Sequence, residues 1–420
     1  MNKLIVHYQD RIVGSLIFDE EERLSFQYHV SWLSYKDRFS LSLALSLSEK
    51  TYGHLETKSF FENLLPEGEI KDLIEAHGKS SIRSEFGFLH EFGRDCAGAF
   101  KILPEKLKVS KSKLSKKELK LSTIYKYLNE KKSLTDEILN REGGKFSLAG
   151  AQDKFAIIYE KQKIYLPLDG SPTTHIIKPH VRYFKSTHDT PYNEYFCMKL
   201  AKAVGLNVPD VDIIEGEFPL YITERFDRRI LKKNGDILRI HQQDFCQAQG
   251  VTSLKKYELD GGPSFKDNYN LVKKYSTAPI PDLNQLLKWF LFNLIIGNND
   301  SHSKNLAFLQ SDGGIRLSPF YDLLSTSVYK DIGQNFAFKI GGQSLWFKLK
   351  DRMFERLAAE LELKNDVIRK QALKLFANID KKLPLEIEAF QERFIDVKTA
   401  DVISKEIKKR MSFFSKIFMS

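Results

Sequence analysis

An apolar run that gives way abruptly to a run of amides and acids constrains this chain more than any other feature of it. Residues 283–296 are apolar almost all round, which reads as a helix buried in the core, and Gly297 stands where that helix must close. The chain then runs Gly297-Asn298-Asn299-Asp300-Ser301-His302-Ser303-Lys304-Asn305 and continues through Leu306-Ala307-Phe308-Leu309. It turns at Ser311-Asp312-Gly313-Gly314 and returns through Ile315-Arg316-Leu317 to Tyr321-Asp322. A buried helix thus delivers a polar loop, a hairpin leaves it, and a second aspartate stands at the hairpin's far end. An isolated aspartate and asparagine at this spacing usually just satisfy backbone donors in a turn, but this context is the one that phosphoryl transfer requires. There an aspartate positions the hydroxyl, an asparagine five residues on binds magnesium, and an aspartate beyond a short hairpin holds the metal that bridges the phosphates. Asp300, Asn305 and Asp322 match those roles in order, and Lys304 can neutralise charge on the transferred group. His302 either orients the aspartate by hydrogen bonding or takes part in the chemistry; nothing around it resembles a zinc site.

Such chemistry needs a phosphate-binding lysine and a loop that covers the phosphates, both upstream. Lys178 ends the predicted strand His175-Ile176-Ile177, where its ammonium can reach the alpha and beta phosphates of ATP. Glu194 is its candidate partner, on a helix that Thr190 can cap, that Pro191 suits in its first turn and that Gly205 ends. The covering loop is expected at Ser147-Leu148-Ala149-Gly150-Ala151-Gln152-Asp153-Lys154, where small residues let backbone N–H groups approach an anion, although no glycine-rich fingerprint or Walker sequence is present.

The rest of the chain supplies context. It opens as a strand meander through residues 4–8, 12–18 and 24–28 with a turn at Gln9-Asp10; helical patterns follow at 60–65 and 70–76. Between Pro104 and Lys120 seven lysines alternate with serines, which reads as a solvated linker or exposed helix, and a domain boundary is placed near 105. From residue 147 strands dominate, and beyond 240 the pattern is mostly helical. The net charge of +10 favours polyanionic partners, part of it owing to that lysine run. With 42% hydrophobic and 29% charged residues the chain has the balance of a folded globular protein. No stretch approaches the roughly 20 apolar residues of a membrane helix, and the first residues lack a secretion signal's apolar core, so a cytoplasmic protein without membrane contact is expected. Cys96, Cys197 and Cys246 are far apart, which predicts reduced, packed thiols.

With these residues in hand, the chain resembles the HipA family of bacterial toxin kinases along nearly its whole length. Besides the segments above, the resemblance rests on Asn63-Leu64-Leu65-Pro66-Glu67-Gly68, Gly93-Arg94-Asp95, Thr174-His175-Ile176-Ile177-Lys178, Asn193-Glu194-Tyr195, Glu224-Arg225-Phe226-Asp227-Arg228 and Lys256-Tyr257-Glu258 with Gly261-Gly262-Pro263. It implies an α+β, two-lobed protein-kinase-like fold: an N-terminal α+β subdomain at 1–105, a linker and strand-rich lobe at 106–227, and a mainly helical C-terminal lobe at 228–420. It further implies that Glu224 and Phe226 bind adenine through backbone groups, that Asp227 lies near the ribose, and that Ser147 is an autophosphorylation site that switches the enzyme off. Implied cofactors are ATP and magnesium. Implied partners are a cytosolic protein substrate, such as glutamyl-tRNA synthetase, and a small helix-turn-helix antitoxin of the HipB type, through which any DNA contact would run. Two other readings of the same residues stand beside this one: a non-catalytic nucleotide-binding corepressor subunit, and a small-molecule kinase.

Overall fold

The computed structural model describes residues 2–77, 84–107, 115–140, 150, 152–181, 190–231, 236–311, 313–330 and 332–419. The chain folds into two compact units that interleave in sequence. The first comprises 1–178, 223–254 and 307–311, and the second 179–222, 255–306 and 312–420. The units follow compactness and not chain order: 1–178 lie together, and 223–254 belong to the same unit.

The first unit begins with the expected meander. Strands β1 (Asn2–Tyr8), β2 (Arg11–Phe18), β3 (Leu24–Tyr28), β4 (Thr51–Tyr52) and β5 (Phe100–Pro104) form a sheet in the order β4-β3-β2-β1-β5, with Leu4 opposite Leu16 and Val6 opposite Ile102. Leu4, Val6, Val13, Leu16 and Phe26 are wholly buried. Helices His54–Phe61 and Glu85–Phe92 start where the local chemistry allows: Glu56 accepts from Gly53 N at 3.1 Å, and Ser84 accepts from Gly87 N at 3.1 Å.

A second sheet of this unit runs β6 (Lys116–Glu118), β8 (Lys163–Pro167), β7 (Phe155–Glu160) and β9 (His175–Lys178). The hairpin between β7 and β8 closes through Lys161 and Gln162, both with positive φ (50° and 62°), the conformation that matches strand twist. β6 corrects the reading of the lysine run: Lys116 and Lys117 lie in an edge strand opposite Pro167 and Leu166. Lysines suit such an edge because they discourage further pairing. Residues 108–114 of the run lie outside the described residues. Helices Leu121–Asn129 and Leu134–Asn140 follow, unforeseen although Ile124, Tyr127 and Leu128 show the buried helical spacing.

The second unit is mainly helical and centres on helix Pro279–Ile296, whose residues from Leu286 to Ile296 are buried apart from Lys288. Helix Asn365–Arg393 packs on it and on the last helix, Thr399–Phe418. Within the mostly helical stretch beyond 240, Asn335–Ile340 and Gln343–Leu345 form a hairpin that the sequence reading did not place, its Phe336, Ala337, Phe338 and Ile340 all buried. The three cysteines are buried and free. No helix among the described residues is long and apolar enough to cross a membrane.

Candidate functional site

The second unit assembles the polar loop from both ends. At the N-terminus of helix Pro279–Ile296, Asp282 accepts from Arg316 (Nη2 2.7 Å, Nε 3.0 Å), Ser276 (2.6 Å) and Leu317 N (3.0 Å), so the strand Gly314–Leu317 that leads toward Asp322 is fastened to the helix that leads toward Asp300. At the C-terminus Gly297 takes φ 73°, and a Cβ there would lie 2.5 Å from Ser327 Oγ, so only glycine fits. Arg410, wholly buried on the last helix, donates to Ser327 Oγ at 2.7 Å and to Leu294 O at 3.0 Å, a carbonyl in the last turn of the helix.

Asn298 joins the two expected carboxylate positions. Its Oδ1 accepts from Asp300 N at 3.2 Å, while its Nδ2 donates to Asp322 O at 3.1 Å and to Asn293 Oδ1 at 2.8 Å. Asn305 Nδ2 donates to Asp300 O at 2.8 Å, which leaves Asn305 Oδ1 as the atom able to face a cation. Tyr321 OH donates to Lys304 O at 2.8 Å. Asp300, Lys304, Asn305 and Asp322 are thus brought into one hydrogen-bonded assembly. Within it Lys304 and Asn305 are buried, while the Asp300 side chain remains 51% exposed. Asp322 holds φ 55°, a left-handed conformation that non-glycine residues adopt rarely and that concentrates at functional sites. Among the described residues no three His, Cys, Asp or Glu side chains gather to hold a metal. Magnesium needs no such cage, because one or two carboxylates, phosphate oxygens and water suffice. The Asp322 carboxylate and the Asn305 amide oxygen are donors of that hard kind.

Of the helix expected to carry Glu194, Thr190–Ala203 is observed; Thr190 is its first residue rather than its cap. Glu194 is buried. Its neighbour Asn193, not singled out on chemical grounds from sequence, accepts from Ser325 N at 2.7 Å and donates to Ser325 O at 3.0 Å and Tyr329 OH at 2.9 Å. The helix is thereby clamped to the segment just after Asp322.

In the first unit Lys178 ends β9 and is only 4% exposed. Lysine is rarely buried to that degree without a partner. Of the expected covering loop, Ser147, Leu148, Ala149 and Ala151 lie outside the described residues. Gly150 takes φ 109° and accepts from Glu67 N at 3.0 Å, and Gln152 is half-buried. Asp153 then caps helix Leu134–Asn140, accepting from Leu134 N and Thr135 N at 2.8 Å each.

Glu224 is exposed at the end of its strand, Phe226 is half-buried, and Asp227 has a different employment from the ribose-side role expected of it. Its carboxylate is 3% exposed and accepts from Gly98 N (2.7 Å), Arg225 Nε (2.9 Å) and Nη2 (2.8 Å), and Arg228 Nη1 (2.8 Å). It is half of a buried charge cluster. Asp95, with no exposed surface, accepts from Arg228 Nη2 and Arg239 Nη2 at 2.9 Å each and from Thr173 Oγ1 at 2.6 Å. Burial alone would raise the Asp95 carboxyl, but Arg228, Arg239 and Arg225 outweigh it and hold that carboxyl far below the usual range. The cluster fixes the segment 224–228 against the loop 94–98.

Comparison with known proteins agrees with this architecture. The model of the HipA N-terminal domain matches residues 4–103, and that of the HipA-like C-terminal domain matches residues 146–384. The protein Y4mE of Sinorhizobium fredii, whose name provisionally calls it a kinase, is 33% identical over 399 residues, covering 94% of either chain. The serine/threonine-protein kinase toxin HipA of Shewanella oneidensis is 31% identical over 351 residues, covering 80% of this chain and 78% of that one. In a solved complex of Shewanella oneidensis HipA, HipB and operator DNA, the matching chain superposes with a TM-score of 0.83 at 26% identity, covering 99% of this chain and 97% of that one.

Proposed function

The chain belongs to the HipA family, and from that premise we propose that it is an ATP- and magnesium-dependent serine/threonine protein kinase acting as the toxin of a toxin–antitoxin pair. The observation that carries the reading is Asn298, one side chain that holds the backbone N–H of Asp300 and the backbone carbonyl of Asp322. It supports a loop built to keep two separately encoded carboxylates in register.

In this reading Asp300 accepts the hydrogen bond of a serine or threonine hydroxyl and aims its oxygen at the gamma phosphorus. The new O–P bond forms as the bond from the gamma phosphorus to the ADP oxygen breaks, and the hydroxyl proton passes to Asp300. Lys304 sets a positive charge beside the transferred group. Asn305 and Asp322 hold magnesium, which when bound neutralises charge across the phosphates. Lys178 is assigned the alpha and beta phosphates, Glu194 the support of that lysine, and the backbone at Glu224 and Phe226 the adenine.

The acceptor is a cytosolic protein of the aminoacyl-tRNA synthetase class, with glutamyl-tRNA synthetase the first to try, and its modification arrests translation. Ser147 is the proposed site of inactivating autophosphorylation. A helix-turn-helix antitoxin of the HipB type is the proposed partner, supported by the Shewanella oneidensis complex, and the cytoplasm the proposed location.

Purified protein mixed with labelled ATP and magnesium tests the reading: label is expected on Ser147, and Asp300→Ala is expected to lower it at least about 100-fold. Undiminished label in Asp300→Ala removes Asp300 from the chemistry. ATP binding with neither label nor growth arrest makes the chain a non-catalytic nucleotide-binding subunit, and in a lysate label on a metabolite with none on protein makes it a small-molecule kinase.

A further inference from the structure

The Asp300 side chain is held by a residue that no part of the proposed mechanism uses. Tyr257 donates its phenol hydrogen to Asp300 Oδ1. We propose that Tyr257 is the positioning residue of the catalytic carboxylate, an inference that rests on the kinase reading and adds to it the group that sets the aspartate's side-chain geometry.

The backbone of Asp300 is already committed. Its N–H donates to Asn298 Oδ1, and its carbonyl accepts from Asn305 Nδ2 at 2.8 Å and from His302 N at 2.9 Å. What remains free is rotation of the carboxylate, which at 51% exposure would otherwise sample several orientations in water. A carboxylate offers about four lone-pair sites on two oxygens. One phenol on Oδ1 therefore restrains that rotation and leaves Oδ2 for an incoming hydroxyl. His302, which the sequence offered for this task, stands too far away: its Nε2 is 3.9 Å from Asp300 Oδ1, past hydrogen-bond reach. It packs edge-to-face with the Tyr257 ring instead, with centroids 4.8 Å apart and planes at 83°.

The segment that carries Tyr257 is itself tied to the loop. Ser303 N donates to Lys256 O at 3.3 Å, Ser303 Oγ to Pro263 O at 3.4 Å, and Lys339 N to Glu258 Oε2 at 2.8 Å. Its turn closes by Gly262 N on Tyr257 O at 2.9 Å, and a Cβ on Gly262 would lie 1.9 Å from Lys255 O, so the turn admits glycine alone. Phenol and carboxylate are thus mounted on one fastened assembly and do not meet by chance of surface side-chain placement.

Tyr257→Phe removes one oxygen and keeps the ring against His302. In the full chain, with magnesium, ATP and casein as a general serine/threonine acceptor, it is expected to lower kcat roughly 10- to 100-fold, the order of a small misplacement of a reacting group. KM for ATP should stay within about twofold, because the proposed mechanism assigns the phenol no contact with the nucleotide. A readout independent of turnover accompanies it: in protein labelled with 13C at the tyrosine Cζ, the resonance that Tyr257→Phe deletes should shift in Asp300→Asn. A resonance that stays put shows that the hydrogen bond is absent and overturns the inference whatever the activity. An unchanged kcat in Tyr257→Phe overturns it as well, and a kcat that rises makes the phenol a plug instead. Wild-type protein that transfers no phosphoryl group sinks the kinase reading itself, and the positioning role with it.

Discussion

Asp95→Asn tests the buried charge cluster of the first unit most sharply, because the change is isosteric and removes one charge from a group with no exposed surface. Three guanidiniums, of Arg225, Arg228 and Arg239, face two carboxylates, of Asp95 and Asp227. Neutralising Asp95 leaves three positive charges on one negative and turns an amide NH2 toward donors. Breaking a buried ion pair by removing one partner costs about 3–5 kcal/mol. For a unit of 150–250 residues each kcal/mol moves Tm by about 2–4 °C, so a fall of about 6–20 °C is expected by scanning calorimetry. Lys163 and Glu118, 3.4 Å apart with side chains 56% and 46% exposed, provide the control. Glu118→Gln should cost about 0–1 kcal/mol. The folded-state pKa of Asp95 is depressed, so its contribution is complete above the unfolded value of about 3.9 and is lost only as pH falls toward the folded one. The Asp95→Asn deficit should therefore be equal at pH 6 and pH 8. A Tm within about 2 °C of wild type would refute the claim that this cluster holds the unit together.

Arg410→Met should leave Leu294 O without a donor, at about 1–3 kcal/mol, and Ser327 Oγ with only the Asn299 amide at 3.4 Å. The urea midpoint of the second unit should fall accordingly, and an unmoved midpoint would show that water or a neighbour replaces the guanidinium. Burial lowers His175 and His241, both in the first unit, to about 4 from an ordinary value near 6.5. Between those values the unfolded chain binds more protons than the folded one, so stability should rise with pH by about 1.4 kcal/mol per unit for each histidine. Denaturant midpoints that stay flat from pH 4 to 6.5 would contradict that.

What could be read from sequence, and what could not, divides by distance along the chain. The helix ending at Ile296, the hairpin beyond Asn305 and the order of Asp300, Asn305 and Asp322 are local patterns, written within about 40 consecutive residues by apolar periodicity and turn chemistry. Their supports are not local. Arg410 reaches Leu294 across 116 residues, and Arg228 reaches Asp95 across 133, and no periodicity announces such a pair. Asp227 is a case in point: an acid beside two arginines looks available until Gly98 and Asp95 arrive to enclose it. Tyr257 lies 43 residues before Asp300, and its phenol acquires meaning only when Asp300 comes within reach of it. The strand Asn335–Ile340 was hidden by brevity, because six residues with buried phenylalanines read as well as a helical turn.

The strand Ala307–Ser311, which completes the first unit by pairing Gln310 with His241 and Ala307 with Asp244, is encoded more than 50 residues after Leu254. A ribosome adding 5–20 residues each second therefore leaves the edge at His241–Asp244 open for several seconds after the rest of its unit has been made. During that interval the nascent chain carries an unpaired template and lacks the loop at Asp300. Synthesis itself thus withholds the loop at Asp300 until the first unit is nearly finished.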